Sequence, residues 1–581
     1  MNIDRRTFLQ LAGASSTLAV LPLRCIAEPG HAVAVTSFGA DPSGKEDSLP
    51  AIRKAVASLP LQHAVLEFAP GTYRLKADGK AAMAFHGFDG IAVLGRGAEL
   101  IFEKDTQPFT FNDCRGVMVE GFTVDWAPLP FTQGAVIETD TTSFVLKVDE
   151  GFTLKGDEAV AAIGTYDRTL RRPAVNGVDS FHSVAGMEPL EPGLMRVNLK
   201  SAVPLRAGDA VVMRHSAYQT YGLQCFRSSG IVVRDVTFYA LPGMAVLCDS
   251  CHDIELLRFR TVFRPKTNRL LSISVDSIHL TNCSGRIEIA ECEFEGMGDD
   301  GVNICAPLFR VGAQSGTRVL SIGLPKGEEL AAWRVPQPGI TVEFLDAATQ
   351  RLLGTGIVAS VAQESAGRVK VTLADAVPAG VTSGALMGAS LDQTEVSIRG
   401  NSFRNHRARG VLVHRNARIS GNTFSGCSLA GILMAADTWW FEGPLVKNVV
   451  IEKNTFRDCY YAHSQDRRGT ITLDTAHDRG RLVSPVTAVN SDVVIRENVF
   501  ESSPAAAIYA AGVRGLMIEG NHLGRTGTLS GGQDAVVLRR VENVTVRGNE
   551  APEKGFVAVL DTVGEVSFER NGKLVLRKEN A

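Results

Sequence analysis

The sequence predicts an all-β protein: a right-handed parallel β-helix with an N-terminal capping helix and two inserted antiparallel, barrel-like β modules. Three observations predict it. First, a degenerate repeat runs through the C-terminal third: "VSIRGNSFRN", "ARISGNTFSG", "VVIEKNTFRD", "VVIRENVFES", "LMIEGNHLGR", "VTVRGNEAPE". Each unit is a short alternating strand, then an asparagine (Asn401, Asn422, Asn454, Asn498, Asn521, Asn549), then usually an apolar residue two positions on. Second, intervals of 21, 23 and 28 residues recur between these asparagines, with two longer ones where a loop intervenes. Third, glycine is abundant, at 57 of 581 residues, while long amphipathic helical stretches are scarce. A unit of this length cannot bury its face alone. Stacked coils can, with parallel strands about 4.7–4.9 Å apart, and turn asparagines then stand above one another. A β-propeller needs longer four-stranded units, and leucine-rich repeats need their own leucine spacing.

Residues 1–27 read as a leader rather than as fold. Arg5-Arg6 in "DRRTFLQLAG" precedes an apolar run, as in a twin-arginine export signal, with a cut expected after Ala27 and a periplasmic or secreted destination. Residues 31–126 hold the cap and the first coils. "VAVTSFGADPSGKEDSLPAIRKAVASLP", followed by "AVLEFAPGTYRL", resembles the start of pectate-lyase-like β-helices, where a helix closes the open end of the solenoid. Ile52, Val56 and Leu59 give that helix its apolar face, and a cap blocks edge pairing. Residues 127–215 and 306–390 break the repeat with strand-like pieces such as "AVIETDTTSFVLKVDE" and "ITVEFLDAATQRLLGTGIVASVAQ", and read as inserted antiparallel modules. They either wall a cleft or space the coils. Residues 216–305 and 391–581 return to the coil pattern.

Composition narrows the function. Hydrophobic residues make up 45%, enough for a large core, and the net charge is −3. No basic patch stands out beyond the leader, which gives no support to a nucleic-acid role. No run after the leader is long and apolar enough to span a bilayer. Nine cysteines follow the leader at irregular spacings. They suit buried thiols, although Cys248/Cys251 or Cys283/Cys292 could pair after export, and none has zinc-finger spacing. The sequence does not fix the oligomeric state; a homodimer is compatible with it.

The chemistry is expected at "EGMGDDGVNI". Asp299 and Asp300 lie side by side between Gly298 and Gly301, and Asp276 in "SISVDSIHL" lies one coil upstream. Coil spacing stacks such residues on one face, and the glycines suggest a bend that turns both neighbours outward. Three acids in one place do not all ionise cheaply, so at least one pKa rises. A raised and an ordinary carboxyl together can protonate a leaving oxygen and activate water. The competing readings are a solvated turn or a calcium site.

"GDDGVNI" is similar to the GDD motif of the polygalacturonase family, but that family's glycine–histidine–glycine and arginine–isoleucine–lysine motifs are missing. A closer resemblance is to glycoside hydrolase family 110, the bacterial exo-α-1,3-galactosidases. It is carried by "FTVDWAPLPFTQGAVI", "ISVDSIHLTNCSGRIEIAECEFEGMGDDGVNI" and "FRNHRARGVLVHRNARISGNTFSGCSLAGILMAADTWWFEGPLVKNVVIEKNTF". The resemblance implies inverting, metal-independent removal of terminal α-1,3-linked galactose from blood-group-B-like or linear glycans, with no cofactor. It also implies Asp299 as general acid and Asp276 with Asp300 as the pair that activates water; spacing alone does not separate acid from base. An inverting pair is expected to stand roughly 6.5–9.5 Å apart.

Further binding candidates are His406, Arg407 and Arg409 in "NHRARG", Asp437, Trp439, Trp440 and Glu442 in "ADTWWFEG", and Asp125 with Trp126 in "VDWAPLP". Sugars need planar faces for their C–H patches and bidentate partners for vicinal hydroxyls. His279 reads as a coil residue. Three other functions compete: a galactan or uronan hydrolase, a non-catalytic glycan-binding β-helix indifferent to Asp→Asn changes, and a calcium-dependent β-eliminating lyase.

Overall fold

The computed structural model describes residues 31–579 apart from 77–78, 80, 105, 325–331, 463–467, 478–480, 483–486 and 562–563. The leader expected over residues 1–27 lies outside the described residues. The chain winds as a parallel β-helix. One ladder of 24 strands and another of 15 run along it, and corresponding strands of successive coils pair in parallel. Alternation within each strand sends one set of side chains into a continuous interior. Ile278 and Leu280 of one coil lie over Val302 and Ile304 of the next, all buried in the same core.

Two internal stacks hold the coils in register. Phe294, Phe403, Phe424, Phe456 and Phe500 stack ring on ring, with centroids 4.7–4.9 Å apart, which is the strand spacing itself. At the turns, the side-chain amide of Asn401 donates to Oδ1 of Asn422, and the pattern continues through Asn454, Asn498, Asn521 and Asn549 at 2.9–3.0 Å. Each of these oxygens also accepts the preceding asparagine's backbone N–H. The ladder therefore satisfies buried turn groups that strand pairing does not reach. It is one rung longer than the repeat suggested. Asn549 donates to Asn571, and Cys292 takes the asparagine's place in the coil before Asn401, its N–H bound to Asn401 Oδ1 at 2.8 Å.

The N-terminal end is closed by a nine-residue helix, Leu49–Ala57, whose Leu49, Ala51, Ile52 and Ala55 are buried. Of the expected apolar face, Ile52 is fully buried, Leu59 is buried and Val56 packs at the margin. The first insert is an eight-stranded antiparallel sheet between Phe131 and Arg214, with its own core of residues such as Val136, Leu146 and Met213. The second is a closed six-stranded barrel from Phe309 to Ala389, also with its own core. Nine cysteines, Cys248, Cys251, Cys283 and Cys292 among them, are buried free thiols, so neither of the two contemplated bridges forms. Among the described residues no helix is long and apolar enough to cross a membrane.

Candidate active site

Backbone register brings the acids together. The N–H of Ser277 donates to the carbonyl of Asp300, and that of Gly301 to the carbonyl of Arg409, both at 2.9 Å. Asp276, Asp300 and Arg409 therefore stack in one column across three coils, although Arg409 lies 109 residues beyond Asp300 because the barrel intervenes. Asp299 stands one position earlier, at a bend. The bend needs its glycines. A Cβ on Gly298 would lie 2.1 Å from the carbonyl oxygen of Ser274, and one on Gly301 would lie 2.5 Å from that of Gly410.

The three carboxyl groups meet: one oxygen from each lies within 4.8 Å of the others. All three residues are buried. Asp276 is held through Oδ2 by His279 Nδ1 at 2.8 Å, and its Oδ1 accepts the backbone N–H of Asp300 at 3.2 Å. Asp300 accepts the backbone N–H of Arg409 at 2.9 Å and faces its guanidinium at 3.3 Å. Asp299 pairs with Arg407 Nη1 at 2.8 Å and accepts the phenolic hydrogen of Tyr218.

These partners split the three acids. Burial pushes Asp276 up to about 7, aided by the charges of Asp299 and Asp300 and opposed by His279. Burial also raises Asp300, with Arg409 pulling the other way. Burial pushes Asp299 up as well, but Arg407, Arg409 and Tyr218 outweigh it and hold this carboxyl below the ordinary range. The group that the family resemblance makes the acid is thus the most readily ionised of the three in this structure. The two guanidinium groups also supply positive charge that a calcium ion would otherwise bring.

The first insert walls this site. Asp179 Oδ1 pairs with Arg214 Nη2 at 2.8 Å, and its Oδ2 accepts from Arg407 Nε. Arg214 in turn donates to the carbonyls of Ser274 and Gly298, at 3.0 and 2.9 Å, bridging the two coils that carry the acids. Phe181 offers its ring to both guanidinium groups. A cavity of about 260 Å³ lies between this insert and the coils, with Tyr166, Asp179, Arg407 and Leu429 among its walls. Tyr218, Asp179 and Arg214 were missed from the sequence, because nothing in the repeat reports how an insert docks.

The other candidates divide. Arg407 and Arg409 grip the acids. Asp437 Oδ1 accepts the backbone N–H groups of Trp439 and Trp440 at 2.7 and 2.8 Å, which folds the tip that presents these rings, 36% and 59% exposed, to solvent. Glu442 returns from that tip, pairs with Pro307, and comes within 4.8 Å of His279 and Cys305. Three expectations are corrected. His406 is fully buried, its Nδ1 against the Arg407 carbonyl, and burial pushes its pKa down to about 4; it is packing beneath the site. Asp125 spends both oxygens on Arg269 and Arg264, at 2.7–3.0 Å. Trp126 is buried against Phe102, with its Nε1 donating to the Lys104 carbonyl. The last two residues lock coils together and do not present a sugar-binding face.

Fold and site define a right-handed parallel β-helix that carries a carboxylate cluster on its flank, walled by an inserted sheet. The family pattern described as "Right handed beta helix region" matches residues 381–479. Along most of its length the chain is similar to proteins named alpha-1,3-galactosidase. It is 25% identical to Alpha-1,3-galactosidase B of Bacteroides thetaiotaomicron, over 99% of this chain and 100% of that protein. It is 24% identical to Alpha-1,3-galactosidase B of Akkermansia muciniphila, over 90% and 70%, and 25% identical to Alpha-1,3-galactosidase A of Streptomyces avermitilis, over 89% and 90%. The resemblance read from the sequence is therefore borne out, and these relatives support a glycoside hydrolase on a β-helix.

Proposed function

We propose that this chain is an exo-acting hydrolase that removes terminal α-1,3-linked D-galactose from glycans, with inversion and without a metal, after export through its twin-arginine leader. The observation that carries the reading is the convergence of Asp276, Asp299 and Asp300 with their proton affinities pushed apart, on a chain related end to end to proteins of that name. Asp299 donates the proton to the leaving oxygen. That oxygen replaces the Tyr218 hydroxyl, and the arriving sugar, by excluding water, raises the carboxyl toward its protonated form. Asp276 and Asp300, stacked on adjacent coils, hold and deprotonate the attacking water. Arg407 and Arg409 orient the acids, and Trp439 and Trp440 offer planar faces to the glycan.

Two observations favour variants of this scheme. Asp276 has the most raised carboxyl, which would make it the acid instead. The nearest oxygens lie within 4.8 Å of one another, tighter than the roughly 6.5–9.5 Å of an inverting pair and close to the spacing of a retaining one. One experiment separates all of these. α-1,3-, α-1,4- and α-1,6-linked digalactosides are incubated with the protein while NMR follows the anomer first released. Release of β-galactose from the α-1,3 compound alone supports the proposal; α-galactose as first product replaces inversion by retention. Asp299→Asn, assayed on a galactoside with an activated aryl leaving group, recovers activity if Asp299 is the acid. Recovery in Asp276→Asn instead exchanges the roles.

A further inference from the structure

Beside the acids lies a second cluster that the scheme above does not use. His279 and Cys305 stand on neighbouring parallel strands, Ile278–Thr281 and Val302–Pro307, at positions that alternate with the core residues Ile278, Leu280, Val302 and Ile304. Both therefore face outward from the coil, and Cys305 is nonetheless buried. Glu442 is delivered by the return from the tryptophan tip, where it pairs with Pro307. One donor atom from each of the three lies within 4.8 Å of the others, with His279 Nε2 and Cys305 Sγ 3.8 Å apart. A tetrahedral zinc ion with bonds of about 2.0–2.3 Å sets its ligands roughly 3.3–3.8 Å apart, so the imidazole and sulfur already stand at the needed separation.

Two further features suit a metal. The other imidazole nitrogen, Nδ1, is held by Asp276 Oδ2 at 2.8 Å, the carboxylate–histidine arrangement that orients metal-binding histidines. Asn303 lies against Glu442, its Nδ2 3.5 Å from both carboxylate oxygens, while its buried Oδ1 has no hydrogen-bond partner among the described residues. The donor set of thiolate, imidazole and carboxylate selects zinc-class ions over calcium or magnesium, which prefer oxygen alone.

We propose that His279, Cys305 and Glu442 form a binding site for a divalent ion of the zinc class, and that the bound ion inhibits the neighbouring carboxylate site. On binding, Cys305 releases its thiol proton to solvent and ligates as thiolate. His279 gives up its Nε2 proton to solvent and ligates through the freed lone pair while its Nδ1–H donates to Asp276, and Glu442 supplies a carboxylate oxygen. Asp276 is then fixed as the acceptor of a metal-bound imidazole and no longer turns to a water. The inhibition rests on the proposed hydrolase reading; the binding does not.

The test uses the mature protein freed of metal by chelation. Titration with Co²⁺ is expected to give one equivalent of binding and a thiolate-to-cobalt charge-transfer band, and calorimetry with Zn²⁺ the same stoichiometry. Cys305→Ala, with its fold checked by circular dichroism, loses the band. It also weakens Zn²⁺ binding by more than the roughly 10- to 100-fold that loss of an outer hydrogen-bond partner costs. Glu442→Gln weakens Zn²⁺ binding while keeping the band, and serves alone if the cysteine variant does not fold. Zn²⁺ abolishes galactoside hydrolysis by the parent protein, chelator restores it, and Cys305→Ala hydrolyses at the parent rate with or without Zn²⁺. Absence of the band, or Zn²⁺ affinity unchanged in the variants, overturns the site. Inhibition equally strong in Cys305→Ala overturns the link to the acids. A protein that binds Co²⁺ through its thiolate yet hydrolyses no galactoside would leave the site standing and remove the hydrolase reading.

Discussion

Tyr218 and Asp299 lie 81 residues apart, and the phenol of the first donates its hydrogen to Oδ2 of the second. The tyrosine stands on the segment that returns the chain from the first insert to the coils, so a residue outside the repeat adjusts the charge of one inside it. A hydrogen bond to a charged group contributes about 1.5–3 kcal/mol. Tyr218→Phe should therefore lift the Asp299 carboxyl toward its ordinary range. A general acid acts only while protonated, and kcat/KM reports the free enzyme, so the alkaline limb of the kcat/KM profile should move to higher pH. An unmoved limb would separate Asp299 from proton donation.

Asp179 joins the insert to the site through Arg214 and Arg407. Asp179→Asn takes from the buried Arg214 guanidinium the carboxylate it pairs with and leaves it the backbone carbonyls. Removing one partner of a buried pair costs about 3–5 kcal/mol, and the partial exposure of Asp179 reduces this to about 2–4. Thermal unfolding should show the loss. Arg407, freed on one side, should also shift against Asp299, so kcat falls even at temperatures where the variant is fully folded.

The asparagine ladder predicts a stability change with no catalytic one. Asn454→Ala removes the oxygen that accepts both the backbone N–H and the side-chain amide of Asn422. Two buried donors left unpaired amount to about 2–4 kcal/mol. Denaturant unfolding should show this loss while kcat/KM on an α-1,3-digalactoside stays unchanged.

His406 makes stability depend on acid. Its folded pKa, pushed down to about 4 by burial, lies below the ordinary value of 6.5. The unfolded chain therefore binds the proton first, and this contribution is intact above about 6.5 and lost as the pH falls toward 4. Melting temperature should drop across that window in the parent protein. It should drop less steeply in His406→Gln, which the difference between the two melting curves isolates.

Trp440 is the most exposed of the aromatic candidates and stands on the tip that Asp437 folds. Trp440→Ala should raise KM several-fold on an oligosaccharide and leave kcat near its starting value. An equal loss in kcat would place the ring at the reacting bond instead.

What the sequence made legible follows from periodicity. The asparagines announced the coils because each must meet the next one's side chain, and Asp276 could be placed one coil before the Asp299–Asp300 pair because 23 residues is about one turn; which of the two stacks on it shows only in the register. Asn571 in "VSFERN" is harder to read because Lys573, and not an apolar residue, stands two positions beyond it. Asp125 and Trp126 misled because an acid beside an aromatic ring looks alike whether it faces a sugar or an arginine pair. What the first insert and its exit bring to the site was illegible for a different reason. Tyr218, Asp179 and Arg214 belong to or adjoin a separately cored sheet, and where such a sheet settles depends on tertiary contacts that leave no spacing in the chain.

Because Arg214 of the insert holds the carbonyls of two coils while its Asp179 steers Arg407, the wall of the cleft and the acidity of its floor are inherited as one unit. Exchanging that sheet for a relative's to accept a differently branched glycan would also reset how tightly Asp299 keeps its proton. Substrate choice and working pH in this architecture should therefore drift together.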